Sequence, residues 1–164
     1  MSTTLTLLEE TIAARIIALQ VDAYQQGNAG ATSEAWLEAA VPVDPTFEPD
    51  SLAHISFEVL TRGSPVAQGQ PGSQHRYRAQ GLLRCSSQVD VVFSYRVRPT
   101  EQRADYRLAQ QAALDIVKAV NALDDSEPGD LIVRPVERFA PAWDPEGPWL
   151  LVRVGFQIDH DEEV

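Results

Sequence analysis

The segment that decides the fold is Gln88–Leu123, QVDVVFSYRVRPTEQRADYRLAQQAALDIVKAVNAL. Val89, Val91, Phe93, Tyr95 and Val97 alternate with Asp90, Ser94, Arg96 and Arg98, and Val92 is the only apolar residue on the second face. A period of two with one dry side predicts a strand. Pro99 ends it, and Thr100 is placed to cap a helix. Ala109, Ala113, Ile116, Val120 and Leu123 then recur at steps of four and three, which sets all five on one helical stripe. Burying its three larger side chains on the strand's apolar face contributes roughly 1.5–3 kcal/mol each, an upper bound because the unfolded chain is partly collapsed. The helix is therefore expected to lie on the sheet.

Working outward, Thr6 and Glu9 have the spacing of a capping box. Leu8, Ile12, Ile16, Leu19 and Ala23 form a second stripe, which predicts a helix from Thr6 to Gln26 closed by Gly27. Asn28–Thr32 reads as a loop. Ser33 is placed to cap a short helix through Ala40 that presents Trp36 and Leu37, followed by an irregular stretch set by Pro42, Pro45 and Pro49. Leu52–Leu60 alternates as a strand through Ile55, Phe57 and Val59. Arg62–Gln74 (RGSPVAQGQPGSQ) is almost without apolar content, so it is expected to form a mobile loop at the tip of a long hairpin.

Tyr77–Cys85 reads as the next strand, with Ser86 and Ser87 as a tight turn into the central one. Beyond the long helix, Asp124–Asp130 reads as a polar turn. Leu131–Val136 reads as a strand that Pro135 confines to an edge or a bulge. Phe139–Pro148 reads as a proline-rich loop. Leu150, Val152, Val154, Phe156 and Ile158 mark a last strand, and Asp159–Val164 a charged, frayed tail. The expectation is a single α+β domain over residues 1–164. Its mostly antiparallel sheet has about five strands with two long helices on one face, in the order α-β-β-β-α-β-β.

Composition narrows the function classes. The chain has 164 residues, a 44% apolar fraction and one cysteine, Cys85, which excludes an intrachain disulfide or a thiolate metal cluster. Glu9, Glu10 and Arg15 interrupt the apolar part of the N-terminal stretch, against a signal peptide or a membrane span. The net charge of −11 is uneven. Residues 1–61 hold one basic and nine acidic residues, residues 62–107 eight and three, and residues 108–164 four and twelve. A basic middle thus lies between two acidic ends. The acidic total argues against nucleic acid as a tightly held ligand.

No residue set announces chemistry. His54, His75 and His160 lack metal-ligand spacing, and Cys85 has no nucleophile signature beside it. The glycines of residues 63–72 do not form a phosphate-binding loop. Asp124, Asp125, Glu127 and Asp130 lack the glycine and terminal glutamate of a calcium loop. No catalytic activity, cofactor or metal is therefore expected. The arginines carry more information. Arg76, Arg78 and Arg84 share one face of one expected strand, and Arg96 and Arg98 one face of its expected neighbour. A hairpin closed at Ser86–Ser87 would merge them into a basic patch, paired either with local carboxylates or with an acidic surface on a second subunit. The second arrangement is heterologous and closes into a ring where the rotation permits. Arginine outnumbers lysine twelve to one, which suits bidentate pairing with carboxylates.

The VDVVFSYRVR strand, the ADYRLAQQAALDIVKAVNAL helix and the closing WLLVRVGFQIDHDEE strand, behind a leading helix and a hairpin, resemble the tail terminator proteins of long-tailed bacteriophages and prophages. The likeness covers most of the chain in element order, with Ala31–Pro49 as an insertion. It implies a non-catalytic virion protein, made in the bacterial cytoplasm, whose ring of six copies caps the tail tube, ends its polymerisation and offers the docking surface for the head. Implied partners are other copies of itself, the tail-tube protein and a head-neck connector, with DNA passing through unbound and no membrane. The likeness further implies that Arg62, Gln68, Gln70 and Gln74 meet the tube. A neck or head-completion protein of the virion is the nearest alternative. A small-ligand module is another, and it would need a concave pocket with convergent polar groups.

Overall fold

The computed structural model describes residues 5–23, 32–38, 55–67, 82–98, 100–125, 131–143 and 149–163. In chain order these form α1 (Leu5–Ile17), β1 (Gln20–Ala23), β2 (Thr32–Ala35), β3 (Leu37–Glu38), β4 (Ile55–Ala67), β5 (Leu82–Arg96), α2 (Gln102–Asn121) with a 3-10 turn (Ala122–Asp125), β6 (Ile132–Trp143) and β7 (Trp149–Glu163). The main sheet has five strands in the order β3-β4-β5-β7-β6, antiparallel except for the short parallel pairing of β3 with β4. Strands β1 and β2 form a separate antiparallel pair. The class is α+β.

The expected stripes make the core. Val89, Val91, Phe93, Tyr95 and Val97 on the central strand are buried. So are Leu150, Val152, Val154, Phe156 and Ile158 on its neighbour β7. From α2, Ala109, Ala113, Ile116, Val120 and Leu123 enter the same cluster, and Leu8, Ile12 and Ile16 bring α1 into it. Helix α2 lies over β6 and β7, while α1 lies over β4 and beside α2. The opposite face of the sheet carries no described helix.

Several expectations are corrected. Helix α1 ends at Ile17, closed by the tighter Leu19 N–H to Ile16 carbonyl bond at 2.9 Å. Residues Gln20–Ala23 then turn into a strand, because pairing with Thr32–Ala35 outweighs a weak helical preference. Thr6 is inside the helix rather than ahead of it, and Glu9 accepts a hydrogen bond from the Thr61 hydroxyl on β4. Over its described residues, 33–38, the short helix expected from Ser33 is replaced by strands β2 and β3. Trp36 instead sits buried between β2 and β3, edge-on to Phe57 and Phe93 at centroid distances of 6.3 and 5.0 Å. Glu101, not Thr100, precedes α2, and it makes no side-chain cap bond.

There is no turn at Ser86–Ser87. The chain runs straight through as β5, with Ser86 opposite Asp159 and Ser87 opposite Ile158. Two serines fit a pleated strand as well as a turn when neighbouring strands complete the ladder: β7 pairs with both, and β4 pairs with Ser86. The expected loop Arg62–Gln74 begins as strand: Arg62–Ala67 belong to β4, with a register shift between Arg62 and Val66 that absorbs Gly63, Ser64 and Pro65. Strand β6 continues to Trp143, through the first part of the expected proline-rich loop. Its register shifts after Pro135 and again after Glu137, on an edge strand as Pro135 required. The expected frayed tail is the end of β7, in which Asp159 and His160 are buried. Pairing with Leu82–Arg84 holds it. Residues 68–74, 77–81 and 144–148, and most of the Ala31–Pro49 segment, lie outside the described residues.

Candidate functional site

Of the two arginine rows, Arg84, Arg96 and Arg98 fall within the described residues. Arg76 and Arg78 lie outside the described residues, as do Gln68, Gln70, Gln74, His54 and His75. Arg84 and Arg96 lie on one strand, paired in register with Asp161 and Trp149 respectively. Being twelve residues apart on β5, they are separated by about 40 Å at roughly 3.3 Å per residue. Arg98 is consumed internally: its side chain pairs with Asp105, which is fully buried in the first turn of α2. Arg62 lies on β4 opposite Gln88.

What the open face of the sheet does bring together is a lattice of opposite charges. Arg153 on β7 donates twice to Glu137 Oε2 on β6, at 2.9 and 2.6 Å. Arg134 reaches Asp159 at 2.8 Å, and Gln157 donates to the Ser86 hydroxyl at 2.8 Å. At the centre Asp90 stands fully buried opposite Gly155. A side chain at Gly155 would fill this space: a Cβ there would come within 3.2 Å of Asp90 Oδ1 and 3.4 Å of Glu137 Cβ. Beside this lattice a shallow, mainly apolar groove of about 330 Å³ runs past Val92, Ala140, Ala142 and Leu151. On the core side, Ser87 Oγ and His160 Nε2 are hydrogen-bonded at 2.7 Å, both residues buried.

A second surface is the outer side of α2. Arg103, Arg107, Gln110, Gln111, Leu114 and Lys118 are all exposed, and at 100° per residue they fall on one stripe opposite the buried one. Asp115 beside it on the helix accepts from Gln111 at 2.9 Å and lies 3.8 Å from Lys118 Nζ. Between α2 and the edge strand, Arg107, Gln110, Gln111, Leu114 and Phe139 line a groove of about 340 Å³. Phe139 is held there by an edge-to-face contact with Tyr106, centroids 5.3 Å apart. The sequence reading passed over this stripe because it followed the apolar period of the helix. The same period, read from the polar side, places these residues together.

Among the described residues no group of three or more His, Cys, Asp or Glu is arranged to hold a metal ion, and no helix is long and apolar enough to cross a membrane. No protein-family model matches the chain, and comparison with curated proteins finds no match.

Proposed function

We propose that this chain is a structural component of a bacteriophage tail: a terminator whose copies form a ring, of six by the resemblance, that caps the tail tube, stops its growth and receives the head. The reading rests on the order and type of elements. A leading helix, long antiparallel strands, a second helix and closing strands fold around one sheet with both helices on one face. The mechanical demand of such a role is stiffness. Strands β5 and β7, each of 15 residues and paired along their whole length, are backed by two helices and supply it. The paired charges on the open face add rigidity without presenting one sign of charge to passing DNA.

In this reading the partners are other copies of the chain, a tail-tube subunit and a head-neck connector, and the protein resides in the virion. The deciding experiment is sedimentation velocity of the purified protein with negative-stain imaging, alone and with assembled tubes. Rings that seat on tube ends are expected. A monomer that neither self-associates nor binds tubes would overturn the reading, and rings that bind only a head connector would reassign it to the neck.

A further inference from the structure

On a chain whose net charge is −11, two exposed arginines stand one turn apart on the outer side of α2 without a bonded carboxylate. Among the described residues the side chains of Arg103 and Arg107 make no hydrogen bond or ion pair, whereas Arg98, Arg134 and Arg153 each bind a carboxylate. The groove beside α2 begins at the second of them. Arg107, Gln110, Gln111 and Leu114 follow one another along two helical turns, a guanidinium first, then two carboxamides, then an aliphatic side chain that is 40% exposed. Phe139 on β6 forms the facing wall, held by its edge-to-face contact with Tyr106. One end of this surface is cationic and the other apolar.

The chemistry of the two ends selects the occupant. The groove is open along its length, so it cannot enclose most of the surface of a small molecule, as small-ligand sites do. Nucleic acid would supply negative charge for Arg103 and Arg107 but nothing apolar for Leu114 and Phe139, and the acidic chain repels phosphate at range. A peptide segment that carries carboxylates and a large apolar side chain satisfies both ends. Carboxylates pair bidentately with guanidinium groups, and peptide amides match the carboxamides of Gln110 and Gln111. The spacing is set by the helix. At roughly 1.5 Å per residue, Arg103 and Arg107 are about 6 Å apart along the axis and Leu114 is about 10 Å further on.

We infer that this face of α2 docks a short acidic segment of a partner protein, its carboxylates on Arg103 and Arg107 and a large apolar side chain between Leu114 and Phe139. The contact needs one copy of the chain only, so it goes beyond the ring-forming role proposed above and stands or falls separately from it.

Fluorescence anisotropy of labelled peptides with the full chain at physiological salt tests it. At about 3.3 Å per residue, an extended probe needs two glutamates with one residue between them and a phenylalanine about three residues further on, in a glycine–serine frame and in both chain directions. Control peptides replace the glutamates by lysines or the phenylalanine by serine. The acidic–apolar probe is expected to bind in one direction, and Arg107→Glu or Leu114→Gln to weaken it at least tenfold. Lys118→Glu makes the same charge change more than a Debye length from Arg107 and should leave binding within about twofold. Circular dichroism checks that each variant is folded. No saturable binding up to about 1 mM protein overturns the inference, as does equal binding of the serine control or an equal loss with Lys118→Glu. A duplex DNA probe whose binding Arg107→Glu abolishes, and with which the peptide does not compete, would make the face a nucleic-acid surface. Self-association in sedimentation velocity that Arg107→Glu abolishes would make a second copy the occupant. Either result overturns the acidic partner.

Discussion

The guanidinium of Arg98 closes on the buried carboxylate of Asp105 with bonds of 3.0 Å from Nε and 2.8 Å from Nη2, and the Arg98 backbone N–H adds a third at 2.7 Å. This clamp fixes the corner where the central strand hands over to α2. It also places a carboxylate in the helix's first turn, where the helix dipole favours it. Asp105→Ala is expected to cost about 2–4 kcal/mol, because it removes three bonds from a site where Arg98 is itself mostly covered. Arg98→Met should cost a similar amount by leaving a buried carboxylate with only the backbone donor. Urea denaturation of both single variants and the double checks this. A double variant as destabilised as the sum of the singles would show that the two residues are not coupled.

Trp36 gives a larger effect. It is 2% exposed and packs edge-on against Phe57 and Phe93, so it ties β2 and β3 to the centre of the sheet. Trp36→Ala should lose about 3–5 kcal/mol, a large share of a domain's whole stability. Thermal and urea unfolding measure it directly. A loss under about 1 kcal/mol, the scale of a surface substitution, would remove Trp36 from the core.

The parts of the fold legible in the sequence are those where one period persists. Val89–Val97, the Ala109–Leu123 stripe and Leu150–Ile158 were readable because each repeats its pattern over several residues and meets a partner that confirms it. Trp36 was misread because two- and four-residue strands carry no period of their own, and only pairing with distant segments defines them. Ser86–Ser87 and Asp159–His160 were misread for a related reason. Polar residues suggest a turn or a tail unless the strands on either side are known, and here those neighbours give the serines and His160 their partners. The candidate surface was half visible: the basic middle of the chain could be counted, but which of its arginines face outward depends on Arg98 turning in to Asp105 while Arg103 and Arg107 turn out.

Gly155 marks a close approach on the sheet's open face. A Cβ there would lie 3.2 Å from Asp90 Oδ1 and 3.4 Å from Glu137 Cβ, and Asp90 is too enclosed to swing aside. Gly155→Ala is therefore expected to destabilise by about 1–2 kcal/mol, against the small gain alanine normally brings to a strand interior. Combining it with Asp90→Ala should cost less than the two changes added together, by at least about 0.5 kcal/mol, because the second substitution clears the space the first one needs. Urea midpoints for the single and double variants give the comparison, and strict additivity would count against the contact.

The Ser87–His160 bond tests the continuity of β5 and β7 where the sequence suggested a turn and a tail. The 2.7 Å contact is buried, with Ser87 3% exposed and His160 fully covered. Ser87→Ala leaves an imidazole nitrogen without this hydroxyl in a place water does not reach, so a loss of about 1–2 kcal/mol is expected. Native-state hydrogen exchange provides an independent check. The amides of Cys85, Ser86 and Ser87 should open together with those of Val89–Phe93 as one cooperative unit, because the β7 ladder runs through all of them and β4 pairs with Cys85 and Ser86 as well. Fast exchange confined to Ser86 and Ser87, with a stability unchanged by Ser87→Ala, would mean that the chain turns there after all.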